Sequence, residues 1–576
     1  MYNRALMDTT PITEKFHELR NETAKGVSFA DPHGKLSRYS YEELMEYGRK
    51  FAGGLWKKGV HSGEPVILVM TDPQSAIIAI LGCMMLGCPP TPVYPPSRLQ
   101  AVKGFLRFMK HVAERSRATL IVAEGQPYAF LGSLPHDTQT VRSVEKFETL
   151  FQDGSDYESQ HANPVAFLQF TSGSTAEPKG VIVSHHGLAA NLWMIRTSSH
   201  MTNSSCVVTW LPVYHDMGLI GTVLNAISLP CDLVVLSPMT FLKKPRLWLE
   251  LITQFHGTHT AAPNFAYGLC TKRVNDISGL DLSTMTTFIC GAEPIIPATM
   301  EKFISHYSKA HLRPESLVPA YGLAEATLAV TFTPFLRGMT TDSVDLNSLS
   351  EQRFAKPLEG IDSHSIRIVS CGSPMGGLSV RVADDQAHLL KEREVGEIQI
   401  NGPSITDGYI GDEGSTAASR TTDNWLRTGD LGYMVDGELH VCGRLKDIVI
   451  IRGKNFHAHD LESIASEVPG VRTGNVVAFS SNSESGEALI IVAETHEETA
   501  NLKAAVRGHI SDAIGISPDE VVLVPPGTLP KTSSGKLKRI ETRQLFESGK
   551  LHRKPGKAGA YVEVLKSGLG FLRKKN

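Results

Sequence analysis

LQFTSGSTAEPKG (Leu168–Gly180) is an apolar stretch that runs into five small residues and ends in Pro-Lys-Gly. Gly173 frees the backbone to curl, and consecutive amide N–H groups in such a curl form a site for anions. Lys179 adds a mobile positive charge. Further hydrogen-bond donors are the hydroxyls of Thr171, Ser172, Ser174 and Thr175. The segment therefore predicts a loop that holds phosphate groups, with an exposed Ser/Gly turn as the alternative.

The residues after this loop indicate its geometry. A Walker loop has the pattern G-x-x-x-x-G-K-[ST] and opens a helix. Here Pro178 interrupts a simple helix start, and GVIVSH (180–185) continues as a strand. The order strand, loop, strand predicts a flap over phosphates rather than a cradle at a helix end.

Short apolar runs alternate with helix-like stretches on both sides of the loop. VILVM (66–70) precedes an apolar helix that starts at Asp72–Pro73, and DLVVL (232–236) precedes RLWLELITQF (246–255). Such alternation is typical of crossover units, so we expect an α/β fold of layered sheets and helices. Ligands then gather where loops leave the carboxyl ends of strands.

The pattern changes twice towards the end of the chain. From Val395, short strands separated by Gly turns predict a β-barrel-like subdomain. After Gly453, two helices and three strands predict a small mobile α+β domain. We therefore expect a large N-terminal domain over 1–443, a hinge at 444–447 and a C-terminal lid over 448–576.

Composition excludes several classes of protein. The 576 residues are 41% hydrophobic and 20% charged with a net charge of −3, which is ordinary for a globular protein and gives no general reason to bind nucleic acid. The eight cysteines are scattered without metal-ligand spacing, so we expect buried, reduced thiols. The longest apolar stretch, Ala76–Cys88, is short of the ~20 residues of a membrane span. A cytoplasmic location is expected.

Six further segments, together with the opening loop, resemble the adenylate-forming ligase superfamily of acyl-CoA synthetases, luciferases and nonribosomal adenylation domains. They occur in the family's order, and the resemblance extends over nearly the whole chain from about Ser40. The segments are GAEPI (291–295), YGLAEAT (321–327), GEIQINGPSITDGY (396–409), RTGDLG (427–432), GRLKDIVIIRGKN (443–455) and LPKTSSGKLKR (529–539).

The resemblance implies that a carboxylate attacks the α-phosphate of ATP in line while pyrophosphate departs. It assigns Lys179 and the loop to the β- and γ-phosphates, Glu325 to Mg²⁺, Asp430 to both ribose hydroxyls and Arg444 to ribose or phosphate. The implied ATP- and AMP-binding residues are Thr171, Ser172, Gly173, Ser174, Thr175, Lys179, Gly291, Ala292, Glu293, Ala320, Tyr321, Gly322, Leu323, Asp430 and Arg444.

Two lysines receive roles from the same resemblance. Lys536 is the late lysine, whose charge would meet the attacking carboxylate and the α-phosphate oxygens. Lys446 occupies the hinge position, where rotation would present one face of the lid for adenylation and another for thioester formation. From composition alone, Lys536 would be a surface residue.

Two segments suggest a hydrophobic tunnel for an acyl tail, although their residues could equally be core. They are WLPVYHDMGLIG (210–221) and AAPNFAYGLC (261–270). His215 matches a position where the family has an aromatic or histidine gate, and it is a catalytic candidate with Lys536 and Glu325. The candidate acyl-binding residues are Trp210, His215, Met217, Gly218, Ile220, Gly221, Asn264 and Phe265.

Within this superfamily, the chain is similar to the fatty acyl-AMP ligases. The similarity lies in the segments HDMGLIG, PNFAY and YGLAEATL. In that family an insertion in the large domain restricts the lid and disfavours CoA. The stretch 335–370 is longer than a simple connector and is the candidate insertion. The resemblance then implies transfer of a medium- or long-chain acyl group to the phosphopantetheine thiol of an acyl carrier protein.

Two alternatives stay open at this point. The first is a fatty acyl-CoA ligase of the same fold, and the second is a catalytically silent lipid- or nucleotide-binding relative. Retention of Lys179, Glu325, Asp430 and Lys536 together argues against the second. Ala458 stands where many relatives have Pro, which leaves the entry of the acceptor undecided.

Overall fold

A computed structural model describes residues 7–95, 102–152, 163–171, 178–360, 365–451, 454–483, 486–497, 499–514, 516–531 and 536–551. Four predicted phosphate-loop residues, Ser172, Gly173, Ser174 and Thr175, lie outside these ranges.

The elements follow in chain order. The helices are α1 (Ile12–Leu19), α2 (Tyr41–Lys57), α3 (Pro73–Leu86), α4 (Val102–Ser116), α5 (Gly125–Leu131), α6 (Leu134–Asp137), α7 (Phe147–Gln152), α8 (His185–Ser199), α9 (Asp216–Gly218), α10 (Asn225–Ser228), α11 (Pro238–Lys243), α12 (Pro245–Gln254), α13 (Asn264–Arg273), α14 (Pro297–Tyr307), α15 (Leu346–Gln352), α16 (Glu413–Ala418), α17 (Ala458–Ser466), α18 (Ala500–Ile514) and α19 (Arg539–Glu547). The strands are β1 (Gly26–Ala30), β2 (Leu36–Ser40), β3 (Val66–Val69), β4 (Pro90–Pro92), β5 (Leu120–Ala123), β6 (Ser143–Lys146), β7 (Val165–Phe170), β8 (Gly180–Ser184), β9 (Cys206–Thr209), β10 (Asp232–Leu236), β11 (His259–Ala262), β12 (Thr287–Cys290), β13 (Leu317–Gly322), β14 (Ala329–Phe332), β15 (Thr341–Asp345), β16 (Ser365–Val369), β17 (Ser373–Pro374), β18 (Ser379–Ala383), β19 (Gly396–Asn401), β20 (Leu426–Val435), β21 (Glu438–Arg444), β22 (Ile448–Ile451), β23 (Lys454–His457), β24 (Val471–Ser483), β25 (Gly486–Thr495) and β26 (Glu520–Val524).

The opening segment is a β-hairpin. β7 and β8 pair antiparallel, with Phe170 opposite Gly180, and the Thr171 amide donates to the Lys179 carbonyl at 3.0 Å. This arrangement confirms the predicted order of strand, loop, strand. The loop is therefore attached to a closed hairpin base rather than to the start of a helix.

A nine-stranded sheet, counted over the described residues, has the order β17-β14-β13-β12-β11-β9-β10-β1-β2. The six strands from β13 to β1 are parallel, and antiparallel strands cover both edges. A second sheet, β4-β3-β5-β6, is wholly parallel. Helices such as α3, whose N-cap Asp72 accepts from the Ser75 amide at 2.9 Å, begin where the sequence predicts them. The α/β fold is confirmed.

The segment predicted as β-barrel-like is an antiparallel meander, β18-β19-β20-β21, with β18 and β21 at its edges. It contains two further site segments, since Asp430 lies on β20 and Arg444 ends β21. The eight cysteines are buried and outside any disulfide, as expected. Within the ranges that the structure covers, no helix combines the length and apolarity needed to cross a membrane.

The described residues form two compact units. The larger contains 7–94, 111–171 and the residues from 178 to 448, and the smaller contains 95, 102–110 and the residues from 449. In the smaller unit, β24, β25 and β26 form a sheet against which α17 and α19 pack. The three-part division at 1–443, 444–447 and 448–576 stays a prediction.

The candidate insertion at 335–370 has secondary structure of its own. β15 and β16 pair antiparallel with α15 between them, although 361–364 lie outside the described residues. Asp342 on β15 accepts from Arg393 and from the Tyr433 hydroxyl, both at 2.9 Å, and Tyr433 is part of β20. The segment is thus attached to the meander that contains Asp430.

Candidate active site

The predicted site segments of the larger unit follow neighbouring parallel strands. Trp210 follows β9, Asn264 follows β11 and Gly291 follows β12, while Tyr321 lies near the end of β13. Because β9, β11, β12 and β13 are parallel neighbours, their carboxyl ends meet at one edge of the sheet. This topology brings together motifs that are more than a hundred residues apart in sequence.

Asp430 is the centre of one polar cluster. It is 6% exposed, and its two carboxylate oxygens accept from different elements: Oδ2 from the Tyr321 hydroxyl at 2.8 Å and Oδ1 from Arg444 Nε at 2.9 Å. The Arg444 side chain is 54% exposed, and the negative charge of Asp430 raises its pKa. The cluster therefore joins a buried acceptor to a cation that reaches solvent.

A turn within β20 aims Asp430 inward. Gly429 has φ 70°, a conformation that favours glycine, and its amide donates to Glu397 Oε1 at 3.2 Å. The Thr428 hydroxyl accepts from the Asp430 amide at 3.1 Å and donates to the Ile398 carbonyl at 2.7 Å. The Thr-Gly before Asp430 thus forms the bulge that directs its carboxylate towards Tyr321.

Glu325, Tyr409 and Lys179 form a second cluster. The Tyr409 hydroxyl donates to Glu325 Oε1 at 2.8 Å, and Lys179 Nζ lies 4.7 Å from the centre of the Tyr409 ring. Burial raises the pKa of the Glu325 carboxyl, as does the charge of Asp430, while the hydrogen bond from Tyr409 and the charge of Arg444 lower it. One tyrosine therefore links the predicted metal-binding carboxylate to the predicted phosphate-binding lysine.

Buried polar contacts hold this second cluster in place. Asn191 on α8 donates to the Ala329 carbonyl at 2.8 Å and to Ser404 Oγ at 3.2 Å, and it accepts from the Ala329 amide. The Thr406 amide donates to the Glu325 carbonyl at 2.8 Å. Asn191 is fully buried, so these bonds fix the Glu325 turn against the segment that leads to Tyr409.

The segment 406–410 also forms backbone hydrogen bonds with β8 of the opening hairpin. The Ile182 amide donates to the Gly408 carbonyl and the Ile410 amide to the Gly180 carbonyl, at 3.0 and 2.8 Å. Tyr409 is therefore positioned by β8, the strand that directly follows Lys179. This backbone pairing explains why the lysine and the tyrosine ring meet.

The predicted adenine-side loop is joined to α13. Glu293 Oε1 accepts from the Phe265 amide at 2.7 Å, and Asn264 Oδ1 accepts from the Ile296 amide at 3.1 Å. A Cβ on Gly291 would lie 2.9 Å from the Ala320 carbonyl oxygen, so only glycine allows these two strand ends to approach so closely. Glu293 is thus a helix-capping residue here, and its contact with a nucleotide stays a prediction.

The candidate acyl residues divide into two groups. His215 is partly exposed, with Nδ1 2.7 Å from Asp216 Oδ1, and it caps α9. Trp210, by contrast, is 3% exposed and stacks on Phe241, with ring centres 3.8 Å apart. Its ring also meets Phe265 edge-on, at 6.1 Å.

The two glycines of this segment are closely packed against other residues. A Cβ on Gly218 would collide with the Pro212 carbonyl oxygen, and one on Gly221 would lie 3.0 Å from a methyl group of Leu328. Met217 and Ile220 are buried, and a π-helical turn, Leu219–Leu224, follows Gly218. The role of these residues in acyl binding stays a prediction.

The structure brings Tyr321, Asp430, Arg444, Glu325 and Lys179 into the larger unit in two polar clusters. Lys446 is exposed there, on the turn Leu445–Asp447. Lys536 belongs to the smaller unit, next to Leu537, which forms a bridge with Lys531. The roles predicted for these two lysines stay predictions.

Comparison with known proteins identifies the family. The sequence matches the AMP-binding enzymes over residues 19–410. The chain belongs to the AMP-binding enzyme family. It is an acyl adenylate-forming ligase that uses ATP, and the resemblance to the fatty acyl-AMP ligases is confirmed.

Relatives of this AMP-binding enzyme extend over almost its whole length. It is 31% identical to a medium-chain-fatty-acid–acyl-carrier-protein ligase of Moorena producens, covering 92% of this chain and 93% of the relative. It is also 31% identical to a long-chain-fatty-acid–AMP ligase of Mycobacterium marinum, covering 94% and 97%. A chain from a structural study of fatty acyl-adenylate ligases from E. coli and L. pneumophila superposes with a TM-score of 0.88 at 29% identity, covering 95% and 99%.

The sequence does not by itself indicate two further site residues of this AMP-binding enzyme, Tyr409 and Asn191. Tyr409 is the last residue of the segment 396–409, but nothing in the pattern indicates that its ring meets Lys179. Asn191 is a buried amide inside the apolar run of α8, where a polar residue is a signal of a specific internal partner.

Proposed function

We propose that this protein activates a medium- or long-chain fatty acid with ATP and then transfers the acyl group to the phosphopantetheine thiol of an acyl carrier protein. The observation that carries the proposal is the pairing of Asp430 with Tyr321 and Arg444 beside the cluster of Glu325, Tyr409 and Lys179. Tyr321 and Glu325 are four residues apart, so both clusters are anchored to one short segment.

The geometry of Asp430 suits the ribose of ATP. Each carboxylate oxygen can accept two hydrogen bonds, and Tyr321 and Arg444 use one on each. The remaining acceptor capacity is available for two ribose hydroxyls. Arg444, with about half of its side chain exposed, would then reach the ribose or the α-phosphate without losing its bond to Asp430.

The residues present also fit a bound Mg²⁺. In the described part of the chain, no three His, Cys, Asp or Glu side chains are grouped to hold a metal ion by themselves. Mg²⁺ on a nucleotide needs only one or two carboxylates, since phosphates and water supply its other ligands. Glu325 would provide that carboxylate, and the ion would neutralise phosphate charge. Tyr409 would orient Glu325, and Lys179 would bind the β- and γ-phosphates.

Tyr409→Phe tests the link between these residues. The variant keeps the ring beneath Lys179 but removes the hydroxyl that orients Glu325, so we expect the Mg²⁺ concentration for half-maximal adenylation to rise about tenfold, as when a residue that orients a metal ligand is lost. Tyr409→Leu also removes the ring, and the KM for ATP should rise about threefold more. Both are measured by pyrophosphate exchange.

The control for this pair is Tyr39→Phe, on β2, an edge strand of the nine-stranded sheet. It should behave as the wild type. A normal Mg²⁺ requirement in Tyr409→Phe would contradict the orienting role of the hydroxyl.

The acceptor is proposed from two lines of support. One relative is itself a medium-chain-fatty-acid–acyl-carrier-protein ligase. The described residues of the segment 335–370 include β15, α15 and β16, and Asp342 attaches them to the meander. The resemblance to the fatty acyl-AMP ligases is the reason to expect that this element restricts the motion of the lid and disfavours CoA as the acceptor.

A comparison of two acceptors tests this part. Preformed acyl-adenylate on the enzyme is supplied either with CoA or with a holo acyl carrier protein, and thioester formation is followed by mass spectrometry. We expect the carrier protein to be acylated at least tenfold faster than CoA. Equal or faster formation of acyl-CoA would make the protein an acyl-CoA ligase. Pyrophosphate exchange is measured first, with fatty acids of different chain lengths. If none of these acids supports exchange, only a binding function is left.

A further inference from the structure

A buried carboxylate lies beneath the segment that leads to Lys536. Glu494 is near the end of β25, opposite Val524 of β26 in the parallel register. Its side chain is fully buried. β26 ends at Val524, and the chain then passes directly over Glu494 on its way to Lys536.

Glu494 binds that passing chain through the backbone. Its Oε1 accepts from the Gly527 amide at 2.8 Å and from the Leu529 amide at 3.0 Å. Between them, the Thr528 hydroxyl donates to the Pro525 carbonyl at 2.7 Å, and Gly527 has φ 83°. One carboxylate oxygen therefore fixes both arms of a tight turn that starts at Pro525.

An irregular stretch of β24 supplies the counter-charge. The register between β24 and β25 shifts between Val471 and Val476, which lets Arg472 pair with Glu494 Oε2. A buried, ionised carboxylate is costly unless it is paired and fully hydrogen-bonded. Here a guanidinium and two amides satisfy it, and this makes its position relative to the turn well defined.

The contacts continue up to the lysine. Lys531 Nζ donates to Asn475 Oδ1 at 2.7 Å, and Asn475 belongs to the same irregular stretch of β24. The Lys538 amide donates to the Pro530 carbonyl at 2.9 Å, and Lys531 forms a bridge with Leu537. Pro530 and Lys531 are thus joined to Leu537 and Lys538 in a closed base, and Lys536 lies directly next to it.

The far side of this base is held in the same way. Arg539, the first residue of α19, donates to Glu462 Oε1 through Nε at 3.1 Å and Nη2 at 2.8 Å. Glu462 also accepts from the Ala478 amide of β24 at 3.0 Å. The chain before Lys536 and the chain after it are therefore each fixed to the β24-β25-β26 sheet by a carboxylate that accepts several hydrogen bonds, Glu494 before it and Glu462 after it.

We propose that Glu494 is a positioning residue for adenylation, which sets the place of Lys536 through the Gly527–Leu529 turn. This inference rests on the proposed function and on the role that the family resemblance gives Lys536. In that role the lysine acts on the α-phosphate during adenylation, while another face of the lid serves thioester formation. A small displacement of a group that acts in the transition state reduces the rate strongly, whereas substrate binding elsewhere is unaffected.

The test is Glu494→Gln, with the two half-reactions measured separately. We expect the kcat of pyrophosphate exchange to fall about tenfold with unchanged KM for ATP and fatty acid, because the charge that orders the turn is lost. Acyl transfer from preformed acyl-adenylate to a holo carrier protein should keep its rate. Glu520→Gln, at the exposed start of β26, is the matched control and should be neutral in both steps.

A double variant separates positioning from general structural damage. In a Lys536→Ala background, Glu494→Gln should cause no further loss, because the lysine that it positions is absent. Additional slowing there, equal slowing of both half-reactions, or wild-type exchange in Glu494→Gln would overturn the proposal. If Glu494→Gln does not fold, Thr528→Val decides, with an expected two- to threefold loss confined to adenylation. Absence of exchange in the wild type would instead defeat the proposed function.

Discussion

Lys536→Ala should reduce adenylation about 10²- to 10³-fold, which is the loss seen when a single group that stabilises transition-state charge is removed. The resemblance to the family places the ammonium of Lys536 at the point where the carboxylate attacks and the α-phosphate gains charge. Since that interaction is strongest in the transition state, kcat should fall while the Kd for ATP changes little. Pyrophosphate exchange measures the first quantity, and equilibrium titration with a non-hydrolysable ATP analogue measures the second.

Lys538→Met is the matched control, because it removes the same charge two residues later. Lys538 is partly exposed and forms an ion pair with Glu541 one turn along α19, so its loss should alter exchange less than twofold. The thioester-forming step should continue in Lys536→Ala if acyl-adenylate is supplied. Near-normal exchange in this variant would remove Lys536 from the reaction.

The sequence predicts the elements of the fold because their signals are local. Asp72 and Pro73 begin α3, and the apolar runs at Val66 and Asp232 are β3 and β10, since capping and hydrophobic periodicity act over a few residues. The hairpin around the phosphate loop follows from Pro178 in the same way. These predictions need no knowledge of distant partners.

The contacts of the site are not local, and for that reason the sequence does not reveal them. Tyr409 and Glu325 are 84 residues apart, and their bond depends on the pairing of the 406–410 segment with β8. Gly218 is a candidate acyl-binding residue in the sequence, and only the structure shows that the Pro212 carbonyl lies where its Cβ would be. A motif names the residue type at a position, while tertiary packing decides what that residue touches.

Asp430→Ala should raise the KM for ATP about 10²- to 10⁴-fold. Two hydrogen bonds from ribose hydroxyls to a carboxylate would be lost, each worth about 1.5–3 kcal/mol because the acceptor is charged. The same variant leaves the buried Tyr321 hydroxyl without the partner that it has at 2.8 Å. That loss should lower the free energy of unfolding by about 1–3 kcal/mol. Steady-state kinetics with varied ATP and urea unfolding followed by tryptophan fluorescence measure the two effects.

Asp423→Ala is the control that separates nucleotide binding from the loss of an ion pair. Asp423 also pairs with an arginine of the meander, Arg381, at 2.6 Å, but its side chain is about half exposed. Its loss should leave the KM for ATP unchanged and the unfolding midpoint nearly so. Tyr321→Phe distinguishes the two roles of Asp430: it removes the internal hydrogen bond and keeps the carboxylate, so stability should fall while the KM for ATP rises only a few-fold. If Asp430→Ala bound ATP as tightly as the wild type, the polar cluster would be structural and the ribose would lie elsewhere.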